Sequence, residues 1–139
     1  MPRLVKGGKW AYGWVVVGRE GEVTVPPEAW REFGFQDEVE ALFMPGSRRS
    51  GGFGISTPKL MAEVAERMGG NRLRLLGRGQ FIEGGRVTAP PELGLQPGAR
   101  LLAVHGSRFG LGFVAQGPIY GEALKHPELE NFGEGTPSP

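Results

Sequence analysis

The residues best suited to chemistry in this chain are arginines. Arg72, Arg74, Arg78 and Arg86 crowd into fifteen positions, with Arg19 in an earlier glycine-flanked turn. A guanidinium offers a planar fork of donors that matches an anionic oxygen pair, but the number and spacing of these arginines alone read first as an ordinary solvated face. Acid–base chemistry has weaker support. His105 stands two residues from Ser107, but the only aspartate, Asp37, lies in a distant turn signal, so no acid is in sight to orient the histidine. His126 falls in the tail, and the two histidines have no metal-ligand spacing. The stretch Gly46-Ser-Arg-Arg-Ser-Gly-Gly52 has the glycines of a phosphate loop without the Lys-Ser/Thr ending or a following helix. A non-catalytic protein without cofactor or metal is expected. Paired carboxylates of the glycosidase kind find no support either, since every acid has a plain surface explanation.

What must position these arginines is a unit that occurs twice. Gly-Glu-Val-Thr-Val-Pro-Pro-Glu occupies residues 21–28, and Gly-Arg-Val-Thr-Ala-Pro-Pro-Glu occupies residues 85–92. After a four-residue gap the match continues: Gly34 with Gly94, Gln36 with Gln96, Leu42 with Leu102, Gly46-Ser47-Arg48 with Gly106-Ser107-Arg108, and Gly52-Phe53 with Gly112-Phe113. Matches at turn glycines as well as apolar positions imply one backbone path used twice. Each copy alone is near the size below which a core is marginal, so the 139 residues are expected to share one core.

Local patterns place the elements. Trp14–Val17 and Glu22–Val25 read as strands joined by Gly-Arg-Glu-Gly, a hairpin. Pro27 suits the first position of a short helix ending at Gly34, whereas the second copy has room for one turn only. Val39–Phe43 and Phe53–Ser56 read as two more strands. Between the copies, Thr57 can cap a helix whose apolar face carries Leu60, Met61, Val64, Ala65 and Met68, closed by Gly69-Gly70. The alternation of Trp10, Tyr12 and Trp14 predicts one aromatic strand face, for core packing or a subunit contact. The expected organisation is a single domain: arm 1–12, first repeat 13–56, connecting helix 57–70, second repeat 71–118, and an acidic, partly flexible tail 119–139 with one short helix near Gly121–His126.

Composition bounds the setting. There is no cysteine, so no disulfide framework or thiolate site is available, and the apolar run after Lys9 is too short and too interrupted to span a membrane. A cytoplasmic protein without membrane contact is expected. The net charge is only +1, but it is uneven: the first repeat holds most of the acids and the second most of the arginines, while Arg3, Lys6 and Lys9 make the arm basic. By itself this reads first as ordinary solvated charge.

The order strand, Gly-x-Val-Thr-Val/Ala-Pro, short helix ending in Phe/Leu-Gly-Phe/Leu, then a strand after a polar turn resembles the swapped-hairpin domain of AbrB, MazE and SpoVT proteins, with two copies in one chain as in MraZ-type regulators. The resemblance implies a mostly β, β-rich α+β fold: a pseudo-two-fold swapped-hairpin β-barrel formed by two tandem AbrB-like repeats, with a connecting α-helix. It further implies a DNA-binding transcriptional or antitoxin-type regulator, with Arg86, Arg78, Arg19, Arg72 and Arg74 as the contacts to duplex DNA. Departures from the family pattern are plain. The arginine after the glycine is kept as Arg86 but replaced by Glu22 in the first copy, Pro27 and Pro91 stand where a lysine is usual, and Trp30 replaces the usual helix arginine. These favour an alternative, a barrel without DNA binding that serves as a protein-interaction or assembly module. A homo-oligomer assembled through the arm is expected, and a protein partner is admitted.

Overall fold

The computed structural model describes residues 10–46, 51–67, 74–107 and 109–132. The arm residues Arg3, Lys6 and Lys9, the loop arginines Arg48, Arg49 and Arg108, the end of the connecting helix at Gly69-Gly70, and Arg72 lie outside the described residues.

Among the described residues the chain is mostly β, with nine strands in a nearly closed barrel and three helices. In order these are β1 (Trp10–Val16), β2 (Val23–Thr24), α1 (Pro27–Glu32), β3 (Glu40–Pro45), β4 (Phe53–Ser56), α2 (Pro58–Arg67), β5 (Gly77–Ile82), β6 (Arg86–Val87), β7 (Arg100–Ser107), β8 (Gly110–Val114), α3 (Pro118–Ala123) and β9 (Asn131–Phe132). The sheet order is β2-β6-β5-β3-β4-β8-β7-β1-β9. All pairings are antiparallel except β1 with β9. Most are long-range: β1 lies on β7, β3 on β5, β2 on β6 and β4 on β8. No helix among the described residues is long and apolar enough to cross a membrane.

The local signals act as their chemistry requires. Pro27 opens α1 at a position where its missing N–H removes no intrahelical bond, and Gly34 follows at φ 70°, a left-handed turn that leads into a 3-10 turn at Phe35–Asp37. Gly94 takes the same conformation, φ 62°, after the single 3-10 turn Pro91–Leu93 that stands where the first half has α1. Thr57 caps α2, its hydroxyl accepting the Leu60 N–H at 3.1 Å.

One core fills the barrel. Phe35, Phe43, Ile55, Leu111 and Phe113 are fully buried in it, with Val15, Val17, Val23, Val25 and Val87. Phe53 and Phe113 sit opposite each other in the β4–β8 register and stack at 5.1 Å. Each such side chain contributes about 1.5–3 kcal/mol by leaving water, so drawing them into a shared interior dominates the fold's stability.

A second cluster lies on the outer face of β1, β7 and β8. Ala11, Trp14, Leu102, Val104 and Val114 are covered there by Ala123 and Leu129. The helix that does this begins at Pro118, earlier than the Gly121–His126 stretch suggested by sequence, and the chain then runs on to pair β9 with β1.

The aromatic alternation of β1 is broken. Register shifts between Ala11 and Gly13, so Tyr12 is the extra residue of a bulge. Tyr12 therefore joins the barrel core, Trp14 turns to the outer cluster, and Trp10 is exposed. The shift depends on Gly13, whose φ of 149° and closeness to Glu130 and Phe132 leave no room for a Cβ.

Candidate nucleic-acid interface

Four of the five arginines singled out from sequence lie among the described residues, and their settings differ. Arg19 is exposed in the turn that links β1 to β2, where Gly18 N–H donates to the Glu22 carbonyl at 2.9 Å. Arg74 is exposed on the segment leading into β5. Arg78 projects from β5, its side chain about two-thirds exposed, while Phe81 of the same strand stacks on Phe35 at 4.6 Å in the interior. Arg86 lies on β6 across from Thr24 of β2 and Ile82 of β5. The β2-β6-β5 ladder therefore gathers Arg78 and Arg86 on one ribbon and brings the turn bearing Arg19 beside it.

Two of these guanidiniums are already engaged. Arg78 Nη1 donates to both carboxylate oxygens of Glu40, at 3.2 and 3.4 Å, across the β3–β5 pairing. Arg86 Nη1 stands 3.6 Å from Glu22 Oε2, and its Nε donates to the Glu83 carbonyl at 3.4 Å. Between them, Thr88 Oγ1 accepts the Gln80 N–H at 2.8 Å. The ribbon is thus polar and outward-facing, with its cations partly neutralised by carboxylates of the first half. A phosphate approaching it would compete with these carboxylates, at a free-energy cost that is small at the exposed Arg78–Glu40 pair and larger at Glu22, whose side chain is mostly buried.

The acid missing from the His105 reading comes from α1. Glu32 accepts from His105 Nε2 at 2.7 Å through one oxygen and from the Tyr12 hydroxyl at 2.6 Å through the other. Phe33 stacks over His105 at 5.7 Å. Burial above all, then the hydrogen bond to Glu32 and the charges of Glu32 and Glu28, push the Tyr12 phenol far above its ordinary value, so it stays a proton donor. The carboxylate ties α1 to β1 and β7 as a clamp between two donors. The signal for Glu32 was absent from sequence spacing, since Tyr12, Glu32 and His105 are separated by twenty and more positions.

Two clefts flank α1, the larger bordering the β5–β6 turn of the ribbon. One of about 280 Å³ is lined by Tyr12, Glu28, Arg31, Glu128 and Glu130. The other, about 510 Å³, is lined mainly by Val25, Trp30, Ile82 and Phe132. Among the described residues no group of three His, Asp or Glu side chains gathers in a way that could hold a metal ion.

No family model matches the chain, and no curated protein matches it either.

Proposed function

We propose that this chain is an AbrB-like barrel of two tandem, hairpin-exchanging repeats that binds duplex DNA as a transcriptional or antitoxin-type regulator. The two-repeat reading is supported by the reciprocity of the strand pairings. The first strand of each half lies on the third strand of the other (β1 on β7, β5 on β3), and like meets like in β2–β6 and β4–β8. It is supported further by the α2 and α3 helices, each of which opens with a proline just after the last strand of its half, Pro58 and Pro118.

The observation that carries the DNA reading is the gathering of Arg78, Arg86 and the Arg19 turn along one exposed β2-β6-β5 ribbon, with Arg74 leading into it. Such a ribbon can lay guanidiniums on phosphates while Gln80 and Thr88 between them offer polar contacts. The test is binding to random-sequence duplex DNA across a salt series. With four arginines on phosphates, the logarithm of affinity should fall with a slope of about −3 to −4 against the logarithm of salt concentration. Absence of any complex at low salt would overturn the reading.

A second reading is favoured by one observation: Arg78 and Arg86 already hold Glu40 and Glu22. On it the barrel is an assembly or protein-interaction module and binds no DNA. Its signature is a complete lack of retardation with duplex DNA, together with a mass in light scattering that rises with protein concentration.

A further inference from the structure

The sheet order ends at β2 on one side and β9 on the other, and the two clefts beside α1 lie at this seam: Thr24 of β2 and Phe132 of β9 both line the larger one. The clefts share Pro27, Arg31 and Phe132, so they form one two-part groove. Its halves differ in chemistry. The smaller is lined by Glu28, Glu128 and Glu130 with Arg31, Glu128 being held by His126; Glu83 borders the larger, its carbonyl accepting from Arg86 Nε. The floor of the larger is the indole of Trp30 with Ile82, Val25 and Phe132. These walls are held in place. Trp30 packs edge-on against Phe35 and Phe81 at 6.0 and 5.4 Å, Phe132 is fixed by the β1–β9 pairing, and Glu128 accepts from His126 Nδ1 at 2.7 Å.

Three glutamates around the smaller cleft, set against Arg31 and the His126 that holds Glu128, leave an excess of negative charge that favours a cation over phosphate. An apolar chamber alongside demands that the cation be attached to a large hydrophobic group. The flanking edge strands, two residues each, are what an extended chain segment would run along.

We propose that this groove binds a peptide segment in which a lysine or arginine adjoins a large apolar residue. The cationic side chain enters the Glu28–Glu130 cleft, where its charge replaces water around the carboxylates, and the apolar neighbour covers Trp30 and Ile82. The groove borders the arginine ribbon at the β5–β6 turn, through Ile82, Glu83, Gly84 and Gly85, and its peptide binding is measured without DNA.

The experiment is fluorescence anisotropy of the full chain with a labelled synthetic nonapeptide, acetyl-Gly-Ser-Leu-Lys-Phe-Arg-Leu-Ser-Gly-amide. Two counterparts are measured beside it, one with glutamate for Lys and Arg, the other with serine for Leu and Phe. The basic apolar peptide should bind, with each counterpart weaker by about tenfold or more. The exposed double substitution Glu28→Gln with Glu130→Gln should weaken the first peptide by a similar factor, leaving thermal unfolding and any binding of random duplex DNA no weaker than before. Trp30→Leu should weaken it too; if that variant fails to fold, the serine counterpart reads the same half of the groove. Equal affinity for the glutamate peptide, or no change in the double variant, would overturn the proposal. Competition by arginine ethyl ester at the same concentration as the peptide would also overturn it, by assigning the groove to small cations.

Discussion

Glu22 and Arg86 form an ion pair, Oε2 to Nη1 at 3.6 Å, between residues that hold the same place in the octapeptides 21–28 and 85–92. They meet because β2 and β6 run antiparallel, Val23 opposite Val87 and Thr24 opposite Arg86. An acid in one half thus stands against a base at the matching position of the other. Arg78 likewise meets an acid of the first half, Glu40, though not at a matching position. Whether the ribbon attracts or ignores phosphate therefore turns on these two carboxylates as much as on the arginines.

Replacing both, Glu22→Gln with Glu40→Gln, removes two negative charges and frees two guanidiniums. On the DNA-binding reading, affinity for duplex DNA at low salt should rise by roughly three- to tenfold, and Arg86→Glu should lower it by at least as much. Stability should move by less than about 1 kcal/mol at the exposed Arg78–Glu40 pair and by more at Glu22, whose side chain is mostly buried. Filter binding and thermal melts measure the two effects separately, and an affinity unmoved by all three substitutions would remove these arginines from the interface.

Gly13→Ala should be among the most disruptive single-methyl changes in the chain. A Cβ there would stand 2.6 Å from the Glu130 carbonyl oxygen and 2.7 Å from the Phe132 ring, at a φ of 149° that side-chain-bearing residues rarely adopt. The expected loss is about 1–3 kcal/mol, with amide exchange accelerating first around β9. A melting temperature equal to the parent's would show that the bulge is dispensable.

Glu32→Ala leaves the buried Tyr12 hydroxyl without its acceptor and His105 without its carboxylate. The expected destabilisation is about 1–3 kcal/mol, larger than for Tyr12→Phe, which removes a donor and leaves the Glu32–His105 contact in place. Chemical denaturation of the two single variants and the double variant gives the coupling, and simple additivity would mean that the three groups do not act as a clamp.

His126 is raised from its ordinary value, chiefly by its hydrogen bond to Glu128 and further by Glu122, while the same contact lowers Glu128. A histidine whose folded value is raised contributes stability fully below its unfolded value, about 6.5, and loses that contribution as pH climbs through the folded value. A proton NMR titration should place His126 above 6.5, and Glu128→Gln should bring it down. As pH rises above 6.5 the parent should lose stability relative to His126→Gln; parallel pH profiles for the two proteins would count against the pairing.

The signals set by near neighbours were open to reading. A proline at a helix start, a glycine that must turn left-handed, a threonine placed to accept an N–H three residues on, and β-branched runs between turns are decided within a few residues, and Pro27, Gly34, Gly94 and Thr57 act as their types require. Strand ends moved by a residue or two, since pairing partners settle where a ladder stops: the stretch read as Val39–Phe43 pairs as Glu40–Pro45.

Everything that needed distant residues to meet was decided by the tertiary structure. One bulged residue reversed the sides taken by Tyr12 and Trp14, although their alternation in sequence is regular. Glu32 found Tyr12 and His105, and the chain after Val114 covered the outer face of β1 and β7, because burial and charge neutralisation reward proximity in space with no regard for separation along the chain. The amino-acid order by itself determined which residues carry charge, turn and apolar surface. Only folding determined that Arg78 and Arg86 meet carboxylates and that three glutamates line a cleft beside an apolar one, since electrostatic energy depends on the distances between groups, and those distances come from long-range strand pairing.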